Sequence, residues 1–257
     1  MVMPCHDEEH LLPYVLPSIQ ASPIDELVVV LDRCTDHSEQ ILDRCSFPFK
    51  VRKVVKKNQS WSCPTAEVFE LGFQEARGDL LFTTAADMVL DPHQFKASFF
   101  NDADFMSFFY YNMDVGSYSG FRHIRQWYEN FLTRFQVSRF LKGALGKQTG
   151  HMALTKECWE KLHVKDTPSE FDDFKERALD AGFKYRWHGE TRNFHLRAGL
   201  SRNRQLLQGI SRSQRKVNPL MVLGHSVLHF KPSVFLGYLQ EKKHHVFSQR
   251  QWSKEKN

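Results

Sequence analysis

The sequence predicts an α/β fold: one domain with a mostly parallel central sheet and an irregular helical C-terminal extension. Three observations carry this. Strand-like and helix-like segments alternate through short links from residue 2 to about 111, which implies βαβ units and right-handed crossovers. The run Glu26–Leu31 is continuously apolar after its first residue, as a strand buried on both faces requires. The stretch Gly78–Asp91 reads as a short apolar strand, Leu80–Thr84, that stops at small residues and one carboxylate, Asp87. By pattern the chain divides into 1–115, 116–215 and a tail, 216–257.

Each element follows from local chemistry. Val2-Met3-Pro4 ends a first strand, and Cys5–Glu9 is a polar loop. Leu11, Leu12, Val15, Leu16 and Ile19 recur at helical spacing up to Gln20. Pro13 falls in the first turn, where proline is tolerated. The second strand ends at Asp32, and Thr35 or Asp36 caps a helix reaching about Cys45. Lys50–Lys56 is a third strand, and Thr65–Ala76 a helix closed by Arg77-Gly78. After the Leu80–Thr84 strand come a helix at Pro92–Phe100 and an aromatic strand at Asp104–Tyr111. Gly120–Leu141 has the spacing of a long helix whose apolar stripe faces a core. His151–Leu154 and Phe183–Trp187 read as strands, and Thr155–Leu162 and Phe171–Ala181 as helices. Beyond Arg192 the pattern predicts loops and short apolar helices.

Composition narrows the class. The chain has 257 residues, 41% of them hydrophobic and 25% charged, as in an ordinary globular protein with a sizeable core. Its five cysteines are scattered and form no C-x-x-C pair, which predicts a reducing, cytoplasmic setting and no zinc site. Acidic residues Asp7, Glu8 and Glu9 argue against a signal peptide. The longest stretches free of Asp, Glu, Lys and Arg, 10–24 and 217–230, fall short of the roughly 20 residues a spanning helix needs. Charge is lopsided: Lys184–Asn257 holds 15 Lys+Arg and 3 Asp+Glu, a net of +12. The whole chain carries +5, so the first 183 residues carry −7. A basic tail suits an anion: a nucleotide phosphate, a lipid head group or a nucleic acid. With few aromatics interleaved among its basic residues, the tail does not fit a nucleic-acid module.

Asp87 alone reads two ways. A carboxylate after a buried strand commonly caps a turn or helix. At the carboxyl end of a parallel strand it also lies where α/β sheets bind ligands, and it could hold a hard divalent cation. The surrounding motifs tip the balance. Pro4-Cys5-His6-Asp7-Glu8-Glu9 follows strand one, and Leu31-Asp32-Arg33-Cys34-Thr35-Asp36 follows strand two. Ala76-Arg77-Gly78-Asp79 and Ala85-Ala86-Asp87 flank the middle strand. Glu170-Phe171-Asp172-Asp173 precedes Arg177 and Gly182. In order and spacing these resemble the family-2 glycosyltransferases of the Rossmann-like GT-A fold. Their pattern is P-x-x-N-E-E, D-D-x-S-x-D, A-x-G-D with D-x-D, and E-D ahead of R-x-x-x-x-G.

The resemblance implies a nucleotide-diphospho-sugar donor, Mg²⁺ or Mn²⁺, a glycan or lipid-linked acceptor, and an inverting transfer. It makes 1–115 the nucleotide-sugar half and 116–215 the acceptor half. Pro4, His6, Glu8, Asp32 and Ala86 would line the donor pocket, and Asp87 would bind the metal. Asp7 stands in place of Asn, Leu31 and Ala85 in place of the first Asp of their motifs, and Phe171 in place of the Asp that often serves as base. The base therefore falls among Glu170, Asp172 and Asp173. On a helix starting near Phe171, Glu170 and Asp173 share a face and Asp172 points elsewhere. With Ala85 in the motif, Asp87 needs a second ligand, and His195 offers one. Arg197, Arg202 and Arg204 could neutralise a diphosphate or form ordinary basic surface. Three alternatives stand beside this reading: a non-catalytic relative, a sugar-nucleotide nucleotidyltransferase and a nucleic-acid binder. The nucleotidyltransferase would want a glycine-rich basic loop after strand one. The tail's apolar segments, Leu220–Leu228 and Val234–Leu239, beside Lys231, Lys242 and Lys243 would pack on the sheet, join two subunits or rest on a membrane surface.

Overall fold

The computed structural model describes residues 1–113, 124, 127–128, 130–131, 151–167, 170–197, 202–214, 216–228 and 231–242. These fall into two compact units, one ending at Arg197 and one starting at Arg202. Most of the helix predicted at Gly120–Leu141 lies outside the described residues.

The first unit opens with three parallel strands, β1 (Val2–Cys5), β2 (Glu26–Asp32) and β3 (Lys50–Lys56), in the order β1-β2-β3. Helices α1 (Leu12–Gln20), α2 (Ser38–Arg44) and α3 (Pro64–Glu75) cover them. The apolar β2 run splits by the two-residue strand period. Leu27, Val29 and Leu31 join Leu12, Val15, Leu16 and Ile19 of α1 in one core. Val28 and Val30 join Ala66, Phe69 and Phe73 of α3 in the other. Gly72 lets α3 lie close on β1, since a Cβ there would fall 2.2 Å from Val2 Cγ1.

The second sheet has the order β4-β7-β6-β8-β5: β4 (Leu80–Phe82), β5 (Met88–Val89), β6 (Phe105–Asn112), β7 (Met152–Thr155) and β8 (Tyr185–His195). A parallel bridge from Val2 to Thr83 joins the sheets, and Val2 O and Pro4 O accept bonds from Thr84 N and Ala86 N. This sheet is mixed. β6 and β8 are parallel, but β7 pairs antiparallel with β4 and β6, and β5 antiparallel with β8. The parallel expectation holds for β1–β3, for the Val2–Thr83 bridge and for β6·β8. α4 (Lys156–Leu162) and α5 (Glu170–Asp180) follow β7.

Two elements differ from the sequence reading. The helix predicted at Pro92–Phe100 is two 3₁₀ turns, Pro92–Gln94 and Ala97–Asn101. Asp91 caps the first by accepting from His93 N, and Pro92 fixes its start. The strand predicted at Phe183–Trp187 instead runs from Tyr185 to His195, because β6 pairs with it at Tyr185–His188 and again, past an irregularity, at Asn193–His195.

In the second unit, α6 (Arg202–Gln214), α7 (Pro219–Leu228) and α8 (232–242) share a small core of Val222, Val234 and Tyr238. Gly209 and Gly237 bring α6 and α8 into backbone contact: a Cβ at either would fall 2.0 or 2.1 Å from a carbonyl oxygen of the other helix. No helix among the described residues is long and apolar enough to cross a membrane.

Candidate active site

The loops after β1 and β2 latch onto one another. Thr35 N donates to Asp7 Oδ1 (2.7 Å), Glu9 N to Asp36 Oδ2 (2.9 Å), His37 N to Glu9 Oε2 (3.0 Å) and Glu8 N to Ser38 Oγ (2.8 Å). Each loop thereby satisfies backbone N–H groups of the other, and two irregular turns become one rigid wall. His6 belongs to it, with Nδ1 2.5 Å from Asp32 O. Asp7 and Arg33 adopt left-handed backbone (φ 51° and 52°) to turn these corners.

Asp32 is buried and fully engaged. Arg33 donates to both of its oxygens at 2.9 Å, and Lys56 Nζ reaches Oδ1 at 2.8 Å. Lys56 also pairs with Glu67 at 3.0 Å. Burial opposes charge on Asp32, but the Arg33 and Lys56 hydrogen bonds outweigh it and hold the carboxyl below the usual aspartate range. Arg33, Lys56 and Glu67 were not singled out from the sequence. Their only signal was a lysine closing an otherwise regular strand.

Asp87 lies at the end of the extended run after β4, 7% exposed. Main-chain bonds fix it: Leu196 N donates to Asp87 O at 2.8 Å, beside the Met88–His195 register of β5 and β8. That pairing brings His195 Nε2 to 3.1 Å from Asp87 Oδ2. The other ring nitrogen, Nδ1, lies 3.1 Å from Asn112 Oδ1, and Asn112 is His195's register partner on β6. Asp87 Oδ1 is buried and bonded to nothing among the described residues. Burial disfavours the charge on Asp87, but the hydrogen bond and charge of His195, with Arg197 behind, hold its pKa below the usual range. Arg197 Nε is 3.9 Å from Asp87 Oδ2, and Nη2 donates to Glu8 Oε2 in a short contact. Glu8 is pushed up to about 7 by burial, with the Asp87 charge adding to the shift and Arg197 opposing it. Pro4 and Ala86 join through the bond from Ala86 N, and Ala86 is buried. Pro4, His6, Glu8, Asp32, Ala86, Asp87, His195 and Arg197 thus all fall on the linked wall and strand ends of the first unit. Arg202 begins α6 in the second unit, and its side chain and that of Arg204 lie outside the described residues.

The three acidic candidates on α5 separate. Asp173 accepts from Arg177 Nε at 2.7 Å, while Arg177 also holds the Leu162 and His163 carbonyls. Glu170 faces Cys63 Sγ at 3.8 Å. Phe171 is buried and packs edge-on to Phe69 at 4.8 Å. Asp172 is electrostatically coupled to Tyr110, whose hydroxyl is pushed up to about 12 by burial, with Asp87 and Asp172 both adding to the shift. The Tyr110 ring meets His195 edge-on at 5.8 Å. Tyr110 thus lies beside His195, where the charges of both Asp87 and Asp172 reach it, a placement its aromatic strand did not reveal.

The family model for glycosyl transferase family 2 matches residues 1–160. The chain belongs to glycosyl transferase family 2. The matched span holds both loops and Asp87; α5, His195 and Arg197 lie beyond it. Among solved structures, this family-2 chain resembles TarS 1–349 of S. aureus in complex with UDP-GlcNAc, at 12% identity and TM-score 0.55. The match covers 86% of this chain and 65% of that one. The mannosyltransferase PcManGT of Pyrobaculum calidifontis, in complex with GDP-Man and Mn²⁺, matches at 15% identity and TM-score 0.60 over 93% of this chain and 68% of that one. At these identities the likeness is one of fold. No curated protein matches the sequence.

Proposed function

We propose that this family-2 glycosyltransferase moves a sugar from a nucleotide-diphospho-sugar to an acceptor hydroxyl or phosphate, with inversion, using Mg²⁺ or Mn²⁺ held by Asp87 and His195. The observation that carries the reading is the 3.1 Å separation of Asp87 Oδ2 and His195 Nε2. Adjacent ligands of an octahedral ion with bonds of about 2.1 Å lie about 3 Å apart. The tautomer fits as well. An amide oxygen only accepts, so Nδ1 beside Asn112 Oδ1 carries a hydrogen, and Nε2, which bonds to Asp87 here, would give its lone pair to the ion in place of a proton. A ligating histidine anchored through its other N–H to a carbonyl oxygen is the usual supporting arrangement. The orphaned Asp87 Oδ1 adds a further acceptor at the same point. The presence of GDP-Man and Mn²⁺ together in the complex of the structurally similar PcManGT supports the choice of ion.

When bound, the ion would offset the negative charge that grows on the departing nucleoside diphosphate. The remaining roles fall to the chain. The latched 4–9 and 32–38 loops would seat the nucleotide, with Asp32 orienting the loop or the base. Arg197, 56% exposed on its side chain, would swing from Glu8 to the diphosphate, which suits a guanidinium fork. Asp172 would take the acceptor proton, because its charge, like that of Asp87, reaches Tyr110 beside His195. The test is thermal unfolding with UDP- and GDP-sugars, with and without Mn²⁺. One donor family should raise the melting temperature only with metal. Equal stabilisation without metal would count against the site.

The acceptor side has one support. On α7, Leu220, Leu223 and Val227 are 76%, 40% and 65% exposed and lie along one helix face. With the basic residues of the tail, this favours contact with an anionic membrane surface and a lipid-linked acceptor. Sedimentation with phosphatidylglycerol vesicles, reversed by high salt and lost in Leu220→Ser/Val227→Ser, would bear this out. Binding that is indifferent to both would not.

A further inference from the structure

Two thiols lie beneath the donor loop. Cys5 ends β1 and is 1% exposed; Cys34 follows the left-handed Arg33 and is partly exposed. Cys34 Sγ donates to Cys5 O at 3.2 Å, which brings the two residues side by side. The strand register sets Cys5 opposite Leu31, so the turn at Arg33 folds Cys34 back over Cys5. Cys34 also stands where the family pattern D-D-x-S-x-D carries serine.

We infer that Cys5 and Cys34 form a thiol modification site for a low-molecular-weight disulfide, with Cys34 the attacking sulfur and Cys5 the resolving one. Access decides the order, because a reagent reaches Cys34 while Cys5 is sealed under it. Cys34 thiolate attacks one sulfur of RS–SR; that S–S bond breaks, and RS⁻ leaves and takes a proton. Cys5 then loses its proton and attacks Cys34 Sγ, and the mixed disulfide breaks to release the second RSH. Two protein thiols are oxidised to one disulfide and RS–SR is reduced to two RSH. The hydrogen bond from Cys5 holds the Cys34 thiol down to about 7, against burial and the nearby Asp36 and Asp7 carboxylates. That favours attack near neutral pH. Cys158, by contrast, is buried, and burial pushes its thiol up to about 12.

The crosslink would draw Cys34 down onto β1. Its neighbours are Arg33, which clamps Asp32, and Thr35, which bonds Asp7. Both loops of the proposed donor wall would shift, so oxidation should weaken nucleotide binding. This second step rests on the donor-pocket reading; the crosslink does not.

The experiment treats the full chain with oxidised glutathione and maps peptides without reduction. Wild type should yield a Cys5–Cys34 linked peptide. Cys5→Ser should stop at a glutathione adduct on Cys34, and Cys34→Ser should give neither. A wild-type chain that stops at the adduct, or reacts first at Cys45 or Cys63, overturns the site. Affinity for UDP and GDP with Mn²⁺ should fall at least about tenfold on oxidation and return with dithiothreitol, since a displacement near 1 Å can cost more than that. A crosslinked chain with unchanged nucleotide affinity overturns the effect on the donor while leaving the crosslink intact. Melting curves of both serine variants check that each is folded.

Discussion

Asp87 and His195 meet across the β5·β8 pairing, with Oδ2 and Nε2 3.1 Å apart. Main-chain hydrogen bonds set that distance: Leu196 N to Asp87 O and Met113 N to His195 O clamp both residues from opposite strands. A pair positioned by sheet register should tolerate removal of either side chain without loss of fold. Asp87→Asn and His195→Gln should therefore keep near-wild-type melting temperatures. Each should weaken Mn²⁺ binding by about 100-fold or more, since even outer-shell changes cost about 10–100-fold. Metal titration followed by donor hydrolysis reads both. Full Mn²⁺-dependent turnover in Asp87→Asn would remove the proposed metal site.

Glu8 sets a pH dependence. Its folded pKa, about 7, lies above the ordinary value of 4.5, chiefly through burial. Between those values the folded chain binds more protons than the unfolded one, so stability falls as pH rises from about 4.5 to 7. The ceiling is on the order of 3 kcal/mol, with the opposing Arg197 charge already included. Glu8→Gln should flatten that part of the stability profile, measured by urea unfolding at several pH values. An unchanged slope would mean that Glu8 is charged throughout.

The carboxylates of α5 should separate in kinetics. Asp172→Asn should lower kcat by about 10²–10⁴-fold, the usual range for a lost general base, and leave donor affinity unchanged. Asp173→Asn should instead cost up to about 0.5 kcal/mol of stability through its i,i+4 pair with Arg177, with little change in kcat. A large kcat loss in Asp173→Asn alone would exchange the two roles.

Much of this site was legible because its parts are local. Glycine stops, capping residues and the apolar β2 run are short-range signals, and they place the loops after β1 and β2 and the end of β4. His195 came from a chemical need, the missing partner of Asp87. What escaped was set by pairing between distant strands. β8 extends to His195 because β6 lies beside it, and Asn112 and Tyr110 gain their places only through that register. The antiparallel insertion of β7 between β4 and β6 is equally silent in the sequence, since a four-residue apolar run such as Met152–Thr155 fits either direction. Phe171 illustrates the opposite case. Its replacement of an expected acid is explained by its buried contact with Phe69 on α3, a packing role.

Lys56 offers the sharpest stability test. Its ammonium, with 4% side-chain exposure, lies between Asp32 (8%) and Glu67 (9%), at 2.8 and 3.0 Å. Lys56→Met keeps most of the apolar stem but leaves Glu67 to the Ser60 and Trp61 N–H groups and Asp32 to Arg33. Removing one member of a buried ionic group costs about 3–5 kcal/mol, because the remaining charge stays desolvated. The loss should depend on pH. Burial opposes charge on both carboxyls, but the Lys56 bonds, with Arg33 at Asp32, hold both below their ordinary values. A depressed carboxylate contributes stability above its unfolded pKa and loses it as pH falls through the folded one. Wild type should therefore lose this contribution below about pH 4, while Lys56→Met, having little to lose, should change less. The two stability curves should converge as acid is added. Parallel curves from pH 7 to pH 3 would mean that the lysine contributes by packing, and that the clamp on Asp32 belongs to Arg33.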